Sequence, residues 1–370
     1  MKFTADPVKP EPSLFAGRSK SLDALRALAA LFVLFHHSCG LPIGIVCYDA
    51  FLNFFREYGH FGLDLFFVLS GFCIHWGHSK PEAPFDSREY MLKRWWRIYP
   101  PYFFALALAV FLNLLTNFYK WKTGGAVTMD NFGPGTVLAH LFLVHNLFPS
   151  TLATISGPFW TIAVEAQFYL IYLLVRRFFF TGRGWALVFA AGILLFVAGW
   201  YSVGSRVPFQ LIHPFRYWIE WLAGAYLVYW LRKRPALVQH TSFWLLLFMG
   251  CWGAAVYIGP HRLIGFMNYG ACLIALSFVF LILVFLRLEK IWSWAGLQWL
   301  PFLGLFSYSI YLIHFLIIDR VRAFIVPHFP EGACRMAVSL AGVAAALLAA
   351  YVFFHYFEEP FIKKSKSVGR

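Results

Sequence analysis

The run Leu22-Asp23-Ala24-Leu25-Arg26-Ala27-Leu28-Ala29-Ala30-Leu31-Phe32-Val33-Leu34-Phe35-His36-His37-Ser38 opens an apolar segment that extends to residue 45. That is enough chain to cross ~30 Å of hydrocarbon as a helix. Arg26 and His37 stand eleven positions apart in it, close to three whole turns, so they share one helix face about 16 Å apart along the axis. A charged or titratable side chain is costly in hydrocarbon, and where one occurs it usually lines a cavity or a reaction path. The pair therefore marks both a membrane helix and the first place to look for chemistry.

Outward from this segment the composition agrees. Of 370 residues, 60% are hydrophobic and 13% charged, with a mean hydropathy of +0.65, which excludes an ordinary soluble domain. Ten apolar stretches of bilayer length follow one another at 22–45, 59–79, 101–118, 158–178, 185–203, 213–231, 242–259, 265–286, 302–324 and 334–357. The fold expected is an all-α polytopic membrane protein with about ten transmembrane helices. Residues 1–21 read as a polar, proline-containing disordered tail, 22–361 as the membrane domain and 362–370 as a basic tail. No cleavable signal pattern precedes the first span, which reads as an uncleaved signal anchor.

The net charge of +14 fits topology better than nucleic acid. Lys80, Arg88, Lys93, Arg94 and Arg97, then Arg176, Arg177 and Arg183, then Arg232, Lys233 and Arg234, then Arg287 and Lys290 fall in alternate connections. The other connections carry fewer basic residues, so the positive-inside rule places both termini in the cytoplasm. The fifteen tryptophans read mainly as interfacial anchors. The six cysteines show neither a metal-ligand spacing nor a disulfide framework, and no metal or bound cofactor is expected. The long connection 119–157, with Gly124-Gly125 and Gly133-Pro134-Gly135, reads as a loop carrying a re-entrant or surface helix that could serve as a lid.

Counting about 1.5 Å per residue along each span places His37, Glu165, Arg216, Glu220 and His314 in the outer half of the membrane, with Asp64 and Ser70 descending through the second span. At the inner mouth, Lys93-Arg94-Trp95-Trp96-Arg97-Ile98-Tyr99-Pro100-Pro101-Tyr102 gathers cations and aromatic rings. Guanidinium forks suit phosphate oxygens. A long phosphorylated ligand entering from the cytoplasm could rest here and extend past Arg26 toward His37. Ser70, inside Leu69-Ser70-Gly71, reads first as a small residue at a helix crossing. Glu358-Glu359-Pro360 reads as the end of the last helix, closed by proline.

Taken in order, these motifs resemble the acyltransferase-3 family of integral membrane acyltransferases. The likeness rests on the arginine and histidine at Arg26 and His37 with ten residues between, and on Phe66-Phe67-Val68-Leu69-Ser70-Gly71-Phe72 and the basic run 93–100. It continues in Trp160-Thr161-Ile162-Ala163-Val164-Glu165-Ala166-Gln167-Phe168-Tyr169-Leu170, Ser309-Ile310-Tyr311-Leu312-Ile313-His314 and Tyr356-Phe357-Glu358-Glu359-Pro360. The resemblance implies transfer of an acyl group, commonly acetyl, from cytoplasmic acyl-CoA to a hydroxyl of an extracytoplasmic or lipid-linked carbohydrate such as O-antigen or exopolysaccharide, in the bacterial inner membrane. Ala166 stands where the family often has a second glutamate, so Glu165 serves alone.

The expected catalytic residues are then His37, as general base or transient acyl-imidazole nucleophile, Glu165, which orients it, and Arg26. Arg26, Arg94, Arg97 and Tyr102 are expected to bind acyl-CoA, the donor substrate. Asp64, Ser70, Trp160, Tyr311 and His314 are the expected substrate-site or supporting residues. The expected partners are acyl-CoA, a carbohydrate or glycolipid acceptor and the lipid bilayer. The rival reading is a transporter or flippase that uses the same residues as a proton or anion relay. No inverted repeat supports it. A haem protein using His36, His37, His75 or His314 lacks a paired axial-ligand pattern.

Overall fold

A computed structural model of the chain describes residues 18–38, 45–80, 82–124, 132–201, 215, 217–258, 269–324 and 333–369. Among these residues there is no strand; the chain is built of helices. They are α1 (Lys20–Ser38), α2 (Val46–Tyr58), α3 (Phe61–Gly77), α4 (Ser87–Lys122), α5 (Pro134–Leu141), α6 (Trp160–Val175) and α7 (Gly182–Tyr201). Then follow α8 (Trp218–Lys233), α9 (Thr241–Ile258), α10 (Tyr269–Arg287), α11 (Trp299–Leu305), α12 (Ser307–Phe324), α13 (Ala333–Phe353) and α14 (Glu359–Ser367).

Every apolar stretch read from the sequence carries a helix, and the stretches differ in kind. Ser87–Lys122, Gly157–Phe180 and Val338–Ser367 are each long and apolar enough to cross a membrane. The expected span 302–324 is broken: α11 and α12 meet at 78° around Phe306 and count as a fourth candidate only when taken together. Phe61–Gly77 and the helices over 182–195, 241–257 and 272–287 are apolar but shorter. Arg216 and the tail 1–17 lie outside the described residues.

Helix α4 is the longest element, 36 residues, or about 54 Å. Its start is fixed by Asp86, whose carboxylate accepts from the backbone N–H groups of Arg88 (2.8 Å) and Glu89 (3.2 Å). Pro100 and Pro101 lie inside it and remove two backbone donors without ending it. The basic run 93–97 therefore occupies early turns of a helix whose later turns are apolar. We call this the basic end of the molecule. Helix α1 starts at the same end and is capped from a distance. Glu289, in the turn after α10, accepts from the backbone N–H groups of Lys20 (2.6 Å) and Ser21 (3.0 Å) and from the Ser19 hydroxyl (2.9 Å). Burial alone would raise the Glu289 carboxyl; the hydrogen bonds from Ser21, Lys20 and Ser19 outweigh it and hold the group below the usual carboxylate range.

Small residues set the crossing of α3 with α8. A side chain on Gly71 would strike the Trp221 carbonyl, and one on Gly224 would strike the Val68 carbonyl. The two backbones approach as closely as they do because neither glycine has a Cβ. Gly71 thus carries the packing role that the sequence suggested for Ser70, and Ser70 faces elsewhere. The tryptophans divide as well. Trp121, Trp294 and Trp299 are exposed, as interfacial anchors are, whereas Trp185, Trp218, Trp221 and Trp292 are buried in the core.

The connection after α4 is packed down rather than free. The Tyr99 hydroxyl donates to the Leu141 carbonyl and Tyr102 to that of His140, both at 3.0 Å. Asn146 and Gln167 exchange amide hydrogen bonds at 3.0 and 2.8 Å. Leu143 and Ile155 hold positive φ values of 55° and 57°, a costly conformation for these residues that the surrounding contacts must enforce. The described part of this segment is thus fixed to α4 and α6 by side-chain hydrogen bonds.

Proline does not end the last helix. After α13 a π-helical turn, Phe354–Glu358, lets the chain restart as α14 with Pro360 in the first turn, where its missing N–H costs nothing. Glu358 is completely buried. One carboxylate oxygen pairs with Arg97 of α4 at 2.9 Å, and the other accepts from the backbone N–H (3.1 Å) and hydroxyl (2.6 Å) of Ser309 in α12. What reads as a helix end in sequence is the bolt that joins α4, α12 and the C-terminal segment.

Candidate active site

At the basic end a cavity of about 850 Å³ opens between α1, α3, α4, α6 and α12, with α14 along its mouth. Arg26, Ser70, Arg94, Arg97, Glu165 and Tyr311, six residues singled out in the sequence, all line it. Each reaches it for a structural reason. Ser70 and Cys73, three apart on α3, share a face, opposite to the glycine that meets α8. Glu165 and Tyr169 are one turn apart on α6. Arg94 and Arg97 are likewise neighbours on α4.

The polar contacts divide the cavity. On one side, the Glu165 carboxylate accepts from the Tyr169 hydroxyl (2.6 Å) and the Ser70 hydroxyl (3.1 Å). Arg26 pairs with Asp23 at 3.0 Å and donates to the Cys73 sulfur at 3.1 Å. Asp23 also pairs with Arg18, so a single buried carboxylate orients two guanidinium groups. Toward the mouth, Arg97 is taken up by Glu358 and Lys93 by Glu89. Arg94 differs. Its guanidinium carbon lies 5.8 Å from the ring centres of both Tyr90 and Tyr169, its buried Nε has no hydrogen-bond partner, and among the described residues it makes no ion pair. A cation held by aromatic faces and facing a cavity is ready for an anion.

His37 stands apart from this cavity, at the other end of α1. Its ring lies 5.2 Å from His314, 5.1 Å from Phe315 and 5.0 Å from His36, centre to centre. Arg322 donates to its carbonyl at 2.9 Å. His36 is held by the Phe55 carbonyl at 3.0 Å. His314 is buried, and its Nδ1 faces the carbonyls of Ile310 (3.0 Å) and Tyr311 (2.8 Å). Those contacts place the proton on Nδ1 and leave Nε2 as the lone-pair nitrogen; that Nε2 is buried and has no hydrogen-bond partner. Between the histidines and the cavity is Tyr311, 5.8 Å from the His314 ring and itself part of the cavity wall. Its hydroxyl is anchored to the Pro158 carbonyl (2.9 Å) and to Thr161 Oγ1 (2.5 Å).

This arrangement differs from the sequence reading at three places. Glu165 bonds Ser70 and Tyr169 in the cavity, instead of standing beside His37. Tyr102 is completely buried and its hydroxyl is used by the His140 carbonyl, so it is not part of the cavity wall. Asp64 is buried in α3 and Trp160 packs on Tyr217 (ring centres 5.2 Å), both outside the cavity lining. Sequence reasoning passed over Cys73, Tyr169 and Glu358. The first two were within reach, being three and four residues from Ser70 and Glu165 on the same helix faces.

Comparison with known proteins gives the family of the chain. The family profile for an acyltransferase domain, of the acyltransferase-3 type, matches residues 19–355. The chain belongs to this acyltransferase family. It is 27% identical over 308 residues to a protein of Acidianus two-tailed virus named as an acetyltransferase, covering 79% of this chain and 81% of that one. It is 25% identical over 380 positions to the peptidoglycan O-acetyltransferase OatA of Listeria monocytogenes, covering 93% of this chain and 56% of OatA. The chain thus spans just over half the length of OatA. No solved structure matches it. With its apolar spans, this acyltransferase is an integral membrane enzyme. Among the described residues no cluster of three or more metal-ligating side chains is present.

Proposed function

We propose that this acyltransferase takes an acyl group, acetyl foremost, from acyl-CoA on the cytoplasmic side. It passes the group to a hydroxyl of an extracytoplasmic or lipid-linked carbohydrate. The basic end faces the cytoplasm, the chain crosses the membrane ten times, and both termini are cytoplasmic. The observation that carries this reading is the cavity. It holds Arg94, with no ion pair among the described residues, together with Arg26 and Glu165, and at Tyr311 it borders the histidine pair.

The phosphates of the donor rest against Arg94, with Arg97 beside it, and the pantetheine arm runs along Arg26, Ser70 and Glu165. From the cavity the ring contacts run through Tyr311 and His314 to His37, and movement of the Tyr311 ring gates the passage of the thioester. His37 takes the proton of the acceptor hydroxyl as the oxygen attacks the thioester carbonyl and the CoA thiolate leaves. His314, with Nδ1–H committed to backbone carbonyls, can accept a hydrogen bond from one His37 nitrogen and leave the other free as the base. That support is of the kind the sequence suggested for Glu165. Glu165 acts on the donor side, where Ser70 and Tyr169 hold its carboxylate.

Acetyl-CoA is expected to raise the thermal unfolding midpoint of the purified protein, as a ligand specific to the folded state does. Arg94→Ala is expected to weaken acetyl-CoA binding about tenfold or more, the cost of one charge-assisted contact. A protein unmoved by saturating acetyl-CoA contradicts the donor assignment, as a flippase for undecorated glycans would.

A further inference from the structure

The family profile ends at residue 355, and the last fourteen described residues, 356–369, lie beyond it. They are nonetheless built into the site. Helix α14 begins with Glu359 and ends with Lys364 and Lys366, a charge order that suits the helix dipole. It is strapped along the early turns of α4. Ser365 donates to the Lys93 carbonyl at 2.8 Å, the Phe361 ring lies parallel to that of Trp96 at 6.0 Å, and the Lys364 ammonium sits 3.7 Å over the Trp96 ring. Past the helix, Gly369 turns with φ +83°, a conformation that favours glycine, and a side chain there would meet the Glu89 carboxylate. The strap turns Ile362, Ser365, Lys366 and Val368 toward the cavity, while Lys363 points away and pairs with Glu359.

The charges in the mouth single out one residue of this strap. Six cations line the cavity: Arg18, Arg26, Lys93, Arg94, Arg97 and Lys366. Four are matched, Arg18 and Arg26 by Asp23, Lys93 by Glu89 and Arg97 by Glu358. Among the described residues, Arg94 and Lys366 are the two that make no ion pair. They come from α4 and α14, which the strap holds side by side. We infer that α14 is a wall of the donor site and that Lys366 contacts the phosphate groups of the nucleotide end of acyl-CoA, opposite or beside Arg94. This rests on the donor-site reading above and adds to it a binding element beyond the residues that the family profile matches.

The test uses the full chain in detergent and two probes, acetyl-CoA and S-acetylpantetheine, which carries the same thioester arm without nucleotide or phosphate. Dissociation constants come from the concentration dependence of thermal stabilisation. Lys366→Ala is expected to weaken acetyl-CoA binding about tenfold and leave S-acetylpantetheine binding unchanged, and Lys366→Arg is expected to restore most of the loss. Unchanged acetyl-CoA binding in Lys366→Ala overturns the inference and leaves α14 as a membrane-surface or packing element. An equal loss for both probes overturns it too, since the effect would then be structural. If the wild-type protein itself fails to bind acetyl-CoA, the donor-site reading falls and the role of Lys366 with it.

Discussion

Replacing His37 by Ala is expected to lower acyl transfer by about 10²–10⁴-fold, the contribution of a positioned general base, while the protein stays folded and still binds acetyl-CoA. The structure separates these two effects. The cavity is lined by residues at the basic end of α1, and His37 lies at the opposite end against His36, His314 and Phe315. Its ring is only partly buried, so truncation leaves no sealed cavity and little loss of stability. His36→Ala provides the comparison. That ring is committed to the Phe55 carbonyl of α2, so its removal disturbs the packing of α2 on α1 and lowers turnover far less. Initial rates with radiolabelled acetyl-CoA, set beside acetyl-CoA binding of the same variants, check both statements. Loss of donor binding in His37→Ala would place the histidine in the wrong half of the mechanism.

The second large effect is on stability. Glu358→Ala removes a buried carboxylate that pairs with Arg97 and accepts twice from Ser309. Breaking one side of such a pair costs about 3–5 kcal/mol when both partners are buried. The Arg97 side chain is one-third exposed, so water can partly take the place of Glu358, and the expected loss is at the lower end, about 3 kcal/mol. It should appear as a fall of about 5 °C in the unfolding midpoint. Arg97→Ala and the double variant complete the cycle. Removing both partners together is expected to cost clearly less than the sum of the single losses, because neither charge is left alone. Strict additivity would show that the two do not act as a pair. The same bolt holds α14 against α4, so Glu358→Ala is also expected to weaken acetyl-CoA binding.

Much of this was legible in the sequence because hydrophobic runs and their polar exceptions obey simple geometry. The helices fall where the apolar stretches lie, and Arg26, Ser70, Arg94, Arg97, Glu165 and Tyr311 do share one cavity. Lateral position was not legible. Counting residues from a span's end gives depth only for straight helices that all begin at one plane. Here α6 is preceded by a 3₁₀ turn at Gly157–Phe159, and α12 follows a 78° break. Depth counting therefore set Glu165 beside His37, whereas packing turned Glu165 into the cavity and gave the histidine a histidine neighbour. Tyr102 illustrates a signal that was available. Five residues beyond Arg97 on one helix it is rotated by about 140°, away from the face that Arg97 presents. Glu358 illustrates one that was not. Pro360 reads as a stop, and only the π-turn before it shows that the chain restarts and carries the glutamate inward.

Delivery of the acyl group by His37 to a carbohydrate hydroxyl outside the cytoplasm is tested most directly on the glycans themselves. Mass spectrometry of cell-surface glycans compares cells lacking the protein, cells with wild-type protein and cells with His37→Ala protein present in the membrane at equal amount. O-acyl groups are expected on the glycans of the wild-type cells alone. Identical glycans in all three, or full acylation with His37→Ala, would contradict it.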